Sequence, residues 1–174
     1  MKIVLIGYMG SGKSSVGKLF AQRLNYAFKD LDVQIEQEEG VTVSKLFADK
    51  GEIYFRKKES EILKQLLSSS KNLVLATGGG TPCYGNSLQY MLNKDDVVTV
   101  YLKNSLQVLS ERLFAAKSQR PLIAHLNTKA EVVDFVRKHL FERSYYYSQA
   151  SAIIEADDGM SMNEVVEKII LKLF

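Results

Sequence analysis

A chain of 174 residues is long enough for one domain with a full core and short for two. Its 46% hydrophobic and 25% charged content excludes extensive disorder, and 23 basic against 20 acidic residues favours a small anionic ligand without arguing for nucleic acid. No apolar run reaches the roughly 18 residues of a membrane span, the opening MKIVLIG stops short of a signal-peptide core, and the single cysteine, Cys83, can form neither an internal disulfide nor a zinc quartet and is given no role.

Short apolar runs rich in β-branched residues predict strands at 2–6, 26–28, 72–77, 97–102 and 151–156. Helix-length segments separate them. Val16, Leu19, Phe20, Arg23 and Leu24 step at helical spacing after the first strand, and Phe55, Ile62, Leu63, Leu66 and Leu67 do so before the third. Val133, Val136 and Leu140 continue the pattern within 129–147, and Val165, Val166, Ile169, Ile170 and Leu173 close the chain as an amphipathic helix. Strands without strict polar alternation, joined by helical crossovers, predict a five-stranded parallel sheet in a three-layer α/β/α sandwich, as a single domain over 1–174. Residues 117–127, KSQRPLIAHLN, read as a mobile surface loop carrying Arg120. Lys18, His125 and His139 read as surface, and residues 145–147 as partial core.

The stretch GYMGSGKSS fits GxxxxGK[ST] as Gly7, Gly12, Lys13 and Ser14, with a predicted strand before it and a helix after it. Such a loop turns backbone N–H groups and a helix N-terminus toward phosphate, with Lys13 as point charge and the Ser14 hydroxyl within reach of Mg²⁺. Asp30 and Asp32 follow the second strand in KDLD, two apart and so on one side of an extended segment, where one could hold the metal's water and the other a substrate hydroxyl. Capping of the next helix, DVQIEQ, explains the pair equally well. Arg56 lies seven residues before Leu63 on the apolar stripe and aims inward, whereas Lys57 and Lys58 fall off it. Gly78, Gly79 and Gly80 follow the central strand, where bare backbone can approach a ligand closely. Arg143 lies seven after Val136 on the inward stripe of its helix, a costly place for an unpaired cation. Salt bridges to Glu59 or Glu142 are the alternative for the two arginines.

Taken in order, GxxGxGKS, DxD, FRxxE, GGG and QRPL resemble the shikimate kinase family, within the nucleoside-monophosphate-kinase-like P-loop group. The resemblance implies transfer of the ATP γ-phosphate to the 3-hydroxyl of shikimate, in aromatic amino-acid biosynthesis. It implies that Asp32 binds the shikimate hydroxyls and accepts the proton, with Lys13 and Arg120 as catalytic partners, and that Ser14 and Asp30 hold Mg²⁺. Gly10, Ser11, Gly12, Lys13, Ser14, Ser15, Arg112 and Arg120 would bind the nucleotide, Arg112 by stacking on adenine, and Arg120 as a lid arginine over the transferring group. Gly78 to Gly80 would line the ring while Arg56 and Arg143 grip the carboxylate, with acceptor-binding helices over about 32–60. Two departures stand out: Tyr145 replaces the family's usual proline two residues after Arg143, and ADDGMS, with Asp157 and Asp158, is acidic where relatives often carry basic residues. The chain is expected to work as a cytoplasmic monomer with ATP and shikimate as its partners, without nucleic acid or membrane. A gluconate kinase-like sugar-acid kinase and a nucleotide-binding switch are the competing readings.

Overall fold

The computed structural model describes residues 1–69, 71–119, 122–156 and 159–174. Strands β1 (Lys2–Ile6), β2 (Ala27–Asp30), β3 (Leu73–Ala76), β4 (Val97–Lys103) and β5 (Ala152–Glu155) form one parallel sheet in the order β2-β3-β1-β4-β5. Helices α1 (Lys13–Leu24), α2 (Leu31–Glu39), α3 (Val43–Ser68), α4 (Ser87–Leu92), α5 (Leu106–Ala115), α6 (Lys129–Tyr147) and α7 (Met162–Leu173) cover both faces. Among the described residues no helix is long and apolar enough to cross a membrane.

The alternation of β1 sets the layers. Ile3 and Leu5 join Val74, Val100 and Ile154 under α1 (Val16, Phe20, Ala21) and α7 (Val165, Val166, Ile169). Val4 and Ile6 join Leu75 and Tyr101 on the opposite face, under α2 (Leu31, Ile35), α3 (Phe55, Leu63, Leu67), α5 and α6 (Val132, Val136). Each large apolar side chain buried in these layers contributes about 1.5–3 kcal/mol. The paired registers, Lys2 opposite both Leu73 and Val97, align the carboxyl ends of the three central strands. β1 lies between β3 and β4, where successive crossovers diverge, and the crevice beyond it is the usual ligand position of such sheets.

All five predicted strands form, the first with its predicted ends and the other four with shifted ones. The second continues through Lys29 to Asp30, because Lys29 and Asp30 pair with Leu75 and Ala76 of β3. Arg23, placed by spacing on the inner stripe of α1, instead points outward and bonds Glu167 and Asn163 of α7 at 2.7 and 3.2 Å. Gly17 and Ala21 fill the inner face in its place, since a Cβ on Gly17 would come within 2.9 Å of the Phe28 ring. Helix α4, six residues long, is too short to announce itself by period. Helix α3 breaks at Gly51, whose φ of 80° is outside the helical region.

Candidate active site

The phosphate cradle begins where β1 ends. Gly7 has φ 145°, and a Cβ there would stand 2.8 Å from the Leu102 carbonyl oxygen, so only glycine lets the chain turn so close to β4. Helices α2, α3, α5, α6 and α7 each start with a side chain capping a backbone N–H, from Asp30, Thr42, Ser105, Thr128 and Ser161. Helix α1 starts at Gly12 with no side-chain cap, which leaves its first-turn N–H groups for a ligand. The Lys13 ammonium, buried in the loop, donates to the carbonyls of Gly7 and Tyr8 at 2.7 and 2.8 Å and to Ser11 Oγ at 3.3 Å.

Ser14 Oγ donates to Asp30 Oδ2 at 2.5 Å, bringing a hydroxyl and a carboxylate together at the mouth of the cradle. This pair of hard oxygen donors fits Mg²⁺, which takes few protein ligands and completes its shell with phosphate and water. Asp30 is also the N-cap of α2, its Oδ1 accepting from the Asp32 N–H at 3.1 Å. The two aspartates therefore do not share an extended segment: Asp30 ends β2 and Asp32 lies in the first turn of α2. The capping reading therefore holds for Asp30 alone, whose other carboxylate oxygen still faces Ser14. Burial, and then the charges of Asp30 and Glu59, push the Asp32 carboxyl up to about 6. In the ligand-free chain, carboxyl-resolved NMR titration of Asp32 is expected to return a midpoint near that value. Replacing Asp30 by Asn removes a like charge and lowers the midpoint; an unchanged midpoint would show that the two do not interact.

The glycine run links this cradle to a second region. A Cβ on Gly78 would lie 3.1 Å from Asp32 Oδ1 and 3.2 Å from Glu59 Oε1, one on Gly79 3.0 Å from the Met9 nitrogen, and one on Gly80 2.6 Å from Arg56 Nη2. The three successive glycines give room to carboxylates, the P-loop backbone and a guanidinium, each of which presses on this strip. Glu59 holds the far end: buried at 2% exposure, it accepts from Thr81 Oγ1 at 2.6 Å and from Arg56 Nη1 at 2.7 Å. The Arg56 guanidinium also lies 4.0 Å from the centre of the Tyr84 ring, while its Nε is buried without a hydrogen-bond partner. Tyr147, stacked on Tyr101, donates to the Gly79 carbonyl at 2.6 Å and fixes the strip from the α6 side.

Three cavities follow this path. One of about 300 Å³ between the P-loop, Asn104, Arg112, Ala156 and Met160 adjoins one of about 480 Å³ containing Lys13, Ser14, Ser15, Asp30, Asp32, Gly78 and Gly79. The third, about 550 Å³, is lined by Phe47, Glu52, Arg56, Tyr84, His139 and Arg143, among others. Arg112 lines the first two and donates to the Gly10 carbonyl at 3.1 Å.

Of the predicted site residues, the P-loop, Asp30, Asp32, Gly78 and Gly79 line one cavity and Arg56 and Arg143 another, with Gly80 against the Arg56 guanidinium between them. The salt bridge from Arg56 to Glu59 exists, whereas Arg143 forms no ion pair among the described residues. Arg120, Asp157 and Asp158 lie outside the described residues. Of the predicted loop, the described residues hold firm contacts: Ile123 is fully buried in the core and Lys117 donates to the Leu126 carbonyl at 3.1 Å. His139, read as surface, is a correction: it is half-buried and bonds Tyr8 at 2.9 Å across its Nδ1. Its position one turn before Arg143 was the available signal. His125 and Lys18 are exposed and Tyr147 is buried, as expected. Cys83 is half-buried, and burial raises its thiol pKa, in keeping with no assigned role.

A parallel sheet with an uncapped, lysine-bearing glycine loop at its central strand, facing a carboxylate and a second cavity, defines a P-loop phosphotransferase. The shikimate kinase family model matches residues 9–174, and the chain belongs to that family. It is 45% identical to the shikimate kinase of Flavobacterium psychrophilum over 99% of both chains, and 44% identical to that of Flavobacterium johnsoniae over 97% of this chain and 96% of that one. The crystal structure of shikimate kinase from Bacteroides thetaiotaomicron superposes with a TM-score of 0.89 at 36% identity, each covering 99% of the other. That of the Acinetobacter baumannii enzyme in complex with shikimate gives 0.87 at 32% identity, over 99% of this chain and 92% of that one. A gluconokinase from Sinorhizobium meliloti, at 0.58 and 19% identity, shares the fold alone.

Proposed function

We infer that this chain phosphorylates the 3-hydroxyl of shikimate with ATP. The observation that carries the reading is the continuous strip Gly78–Gly80, which joins the phosphate cavity with Asp32 to a cavity where Arg56 and Arg143 converge. An acidic polyol spanning that strip would place a hydroxyl at Asp32 and a carboxylate between two guanidiniums. The buried Nε of Arg56 makes no hydrogen bond and has Glu52 Oε1 at 3.6 Å, so it can still donate to such an acceptor.

In this reading the P-loop amides and Lys13 hold the ATP phosphates, Arg112 flanks the base, and Asp32 orients the attacking hydroxyl and takes its proton. Arg120 closes on the transferring group from the segment that follows α5. Ser14 and Asp30 would hold Mg²⁺, which when bound neutralises charge on the phosphate oxygens. Glu59 positions Arg56 rather than touching the acceptor. In this reading the chain acts as a monomer, and a reducing cytoplasm suits the free Cys83.

Parallel assays with shikimate and gluconate test the assignment, and kcat/KM for shikimate is expected to exceed that for gluconate by more than about 100-fold. Comparable values would favour the sugar-acid kinase reading. Arg143→Lys replaces a forked contact by a point charge and is expected to raise the KM for shikimate about tenfold while the KM for ATP stays within about twofold. Equal changes for both substrates would remove Arg143 from carboxylate recognition.

A further inference from the structure

We propose that His139 is a third, neutral hydrogen-bond donor to the acceptor carboxylate, held in the required tautomer by Tyr8. The inference rests on the shikimate reading above and adds a residue to it. Tyr8 is 1% exposed, and its hydroxyl has one partner among the described residues, His139 Nδ1 at 2.9 Å. A buried hydroxyl hydrogen needs an acceptor, so the phenol donates and Nδ1 accepts. The proton of the ring is then on Nε2.

That nitrogen is open to a ligand. Among the described residues His139 makes no second hydrogen bond, yet Nε2 is absent from the buried polar atoms that lack a partner, so it reaches open space. His139 lines the same cavity as Arg56 and Arg143. His139 and Arg143 are four residues apart on α6 and therefore share a face. The rings of Tyr8 and Phe135 pack against the imidazole in T-shaped contacts at centroid distances of 5.5 and 5.2 Å and restrain its plane. Burial, and then the Arg143 charge, lower the imidazole pKa and keep the ring neutral at neutral pH. Two cations supply attraction for a carboxylate, and a fixed neutral N–H adds direction without further repulsion in the free pocket.

Tyr8 gives the arrangement a second consequence. Its backbone carbonyl accepts from Lys13 at 2.8 Å while its side chain fixes His139, so one residue ties the phosphate cradle to the acceptor pocket.

The test compares shikimate with its methyl ester, which keeps the ring hydroxyls and loses the carboxylate charge. His139→Phe is expected to raise the KM for shikimate about tenfold, with kcat and the KM for ATP within about twofold, and to raise the KM of the ester, whose carbonyl accepts a weaker, uncharged bond, by no more than about threefold. His139→Gln, which returns an N–H near Nε2, is expected to recover most of the loss. Tyr8→Phe, which frees the tautomer, is expected to reproduce a part of it. A His139→Phe protein with wild-type KM for shikimate would overturn the proposal. So would a penalty equal on shikimate and ester, or failure of Gln to do better than Phe. Should the unsubstituted chain fail to turn over shikimate, the assignment beneath the proposal falls first, and that is visible before any variant is made.

Discussion

Asparagine in place of Asp32 is expected to lower kcat about a thousandfold while ATP affinity changes by less than about threefold. The amide has nearly the shape of the carboxylate, so the close approach to Gly78 is preserved, but it can no longer accept the hydroxyl proton. The same change is expected to stabilise the ligand-free fold. Folding raises the Asp32 pKa from 3.8 to about 6, because burial and the charges of Asp30 and Glu59 oppose its ionised form. A raised carboxyl disfavours the fold once pH exceeds the folded value, at a cost on the order of 3 kcal/mol. Removing it therefore raises Tm by several degrees above pH 6 and has no such effect below about pH 3, where both states are protonated. Steady-state kinetics and calorimetric unfolding at the two pH values check both halves. Near-normal kcat would remove Asp32 from the reaction, and a lower Tm at pH 7 would contradict the electrostatic account.

Methionine in place of Lys13 is expected to lower kcat/KM for ATP by more than about a thousandfold, since a buried cation against the phosphates contributes several kcal/mol in a site shielded from water. Here the stability effect has the opposite sign. The Lys13 ammonium satisfies the carbonyls of Gly7 and Tyr8, and an unsatisfied buried acceptor costs about 1–3 kcal/mol. Both variants are thus inactive, but one is firmer and the other weaker than the parent chain. A Lys13→Met protein with unchanged Tm would mean that the lysine holds phosphate without holding the loop.

The parts of the site that sequence revealed are those where one local rule decides the outcome. Gly7, Gly12, Lys13 and Ser14 declare themselves because backbone turned toward an anion tolerates few other residues. Arg56 declares itself by its distance from Leu63 along one helix face. The parts that sequence hid depend on contacts between distant segments. Glu59 is an ordinary acidic residue until Thr81 and Arg56 meet it, and Tyr147 is one of three tyrosines until it reaches Gly79. His139 becomes legible only when β1 delivers Tyr8 beside α6. Arg23 failed for a related reason: its spacing suits the core, but its charge found Glu167 across the surface. The second strand runs past its apolar residues because Lys29 and Asp30 are polar at a sheet edge, where hydrogen bonds to β3 rather than burial hold them.

Phosphorus NMR of the product made from ATP, Mg²⁺ and shikimate tests the central claim most directly. The account predicts one ADP per phosphorylated acceptor, with the new phosphorus signal coupled to the proton at the 3-position of the ring. Nucleotide turnover that leaves shikimate unmodified, or a phosphate on another hydroxyl, would contradict it.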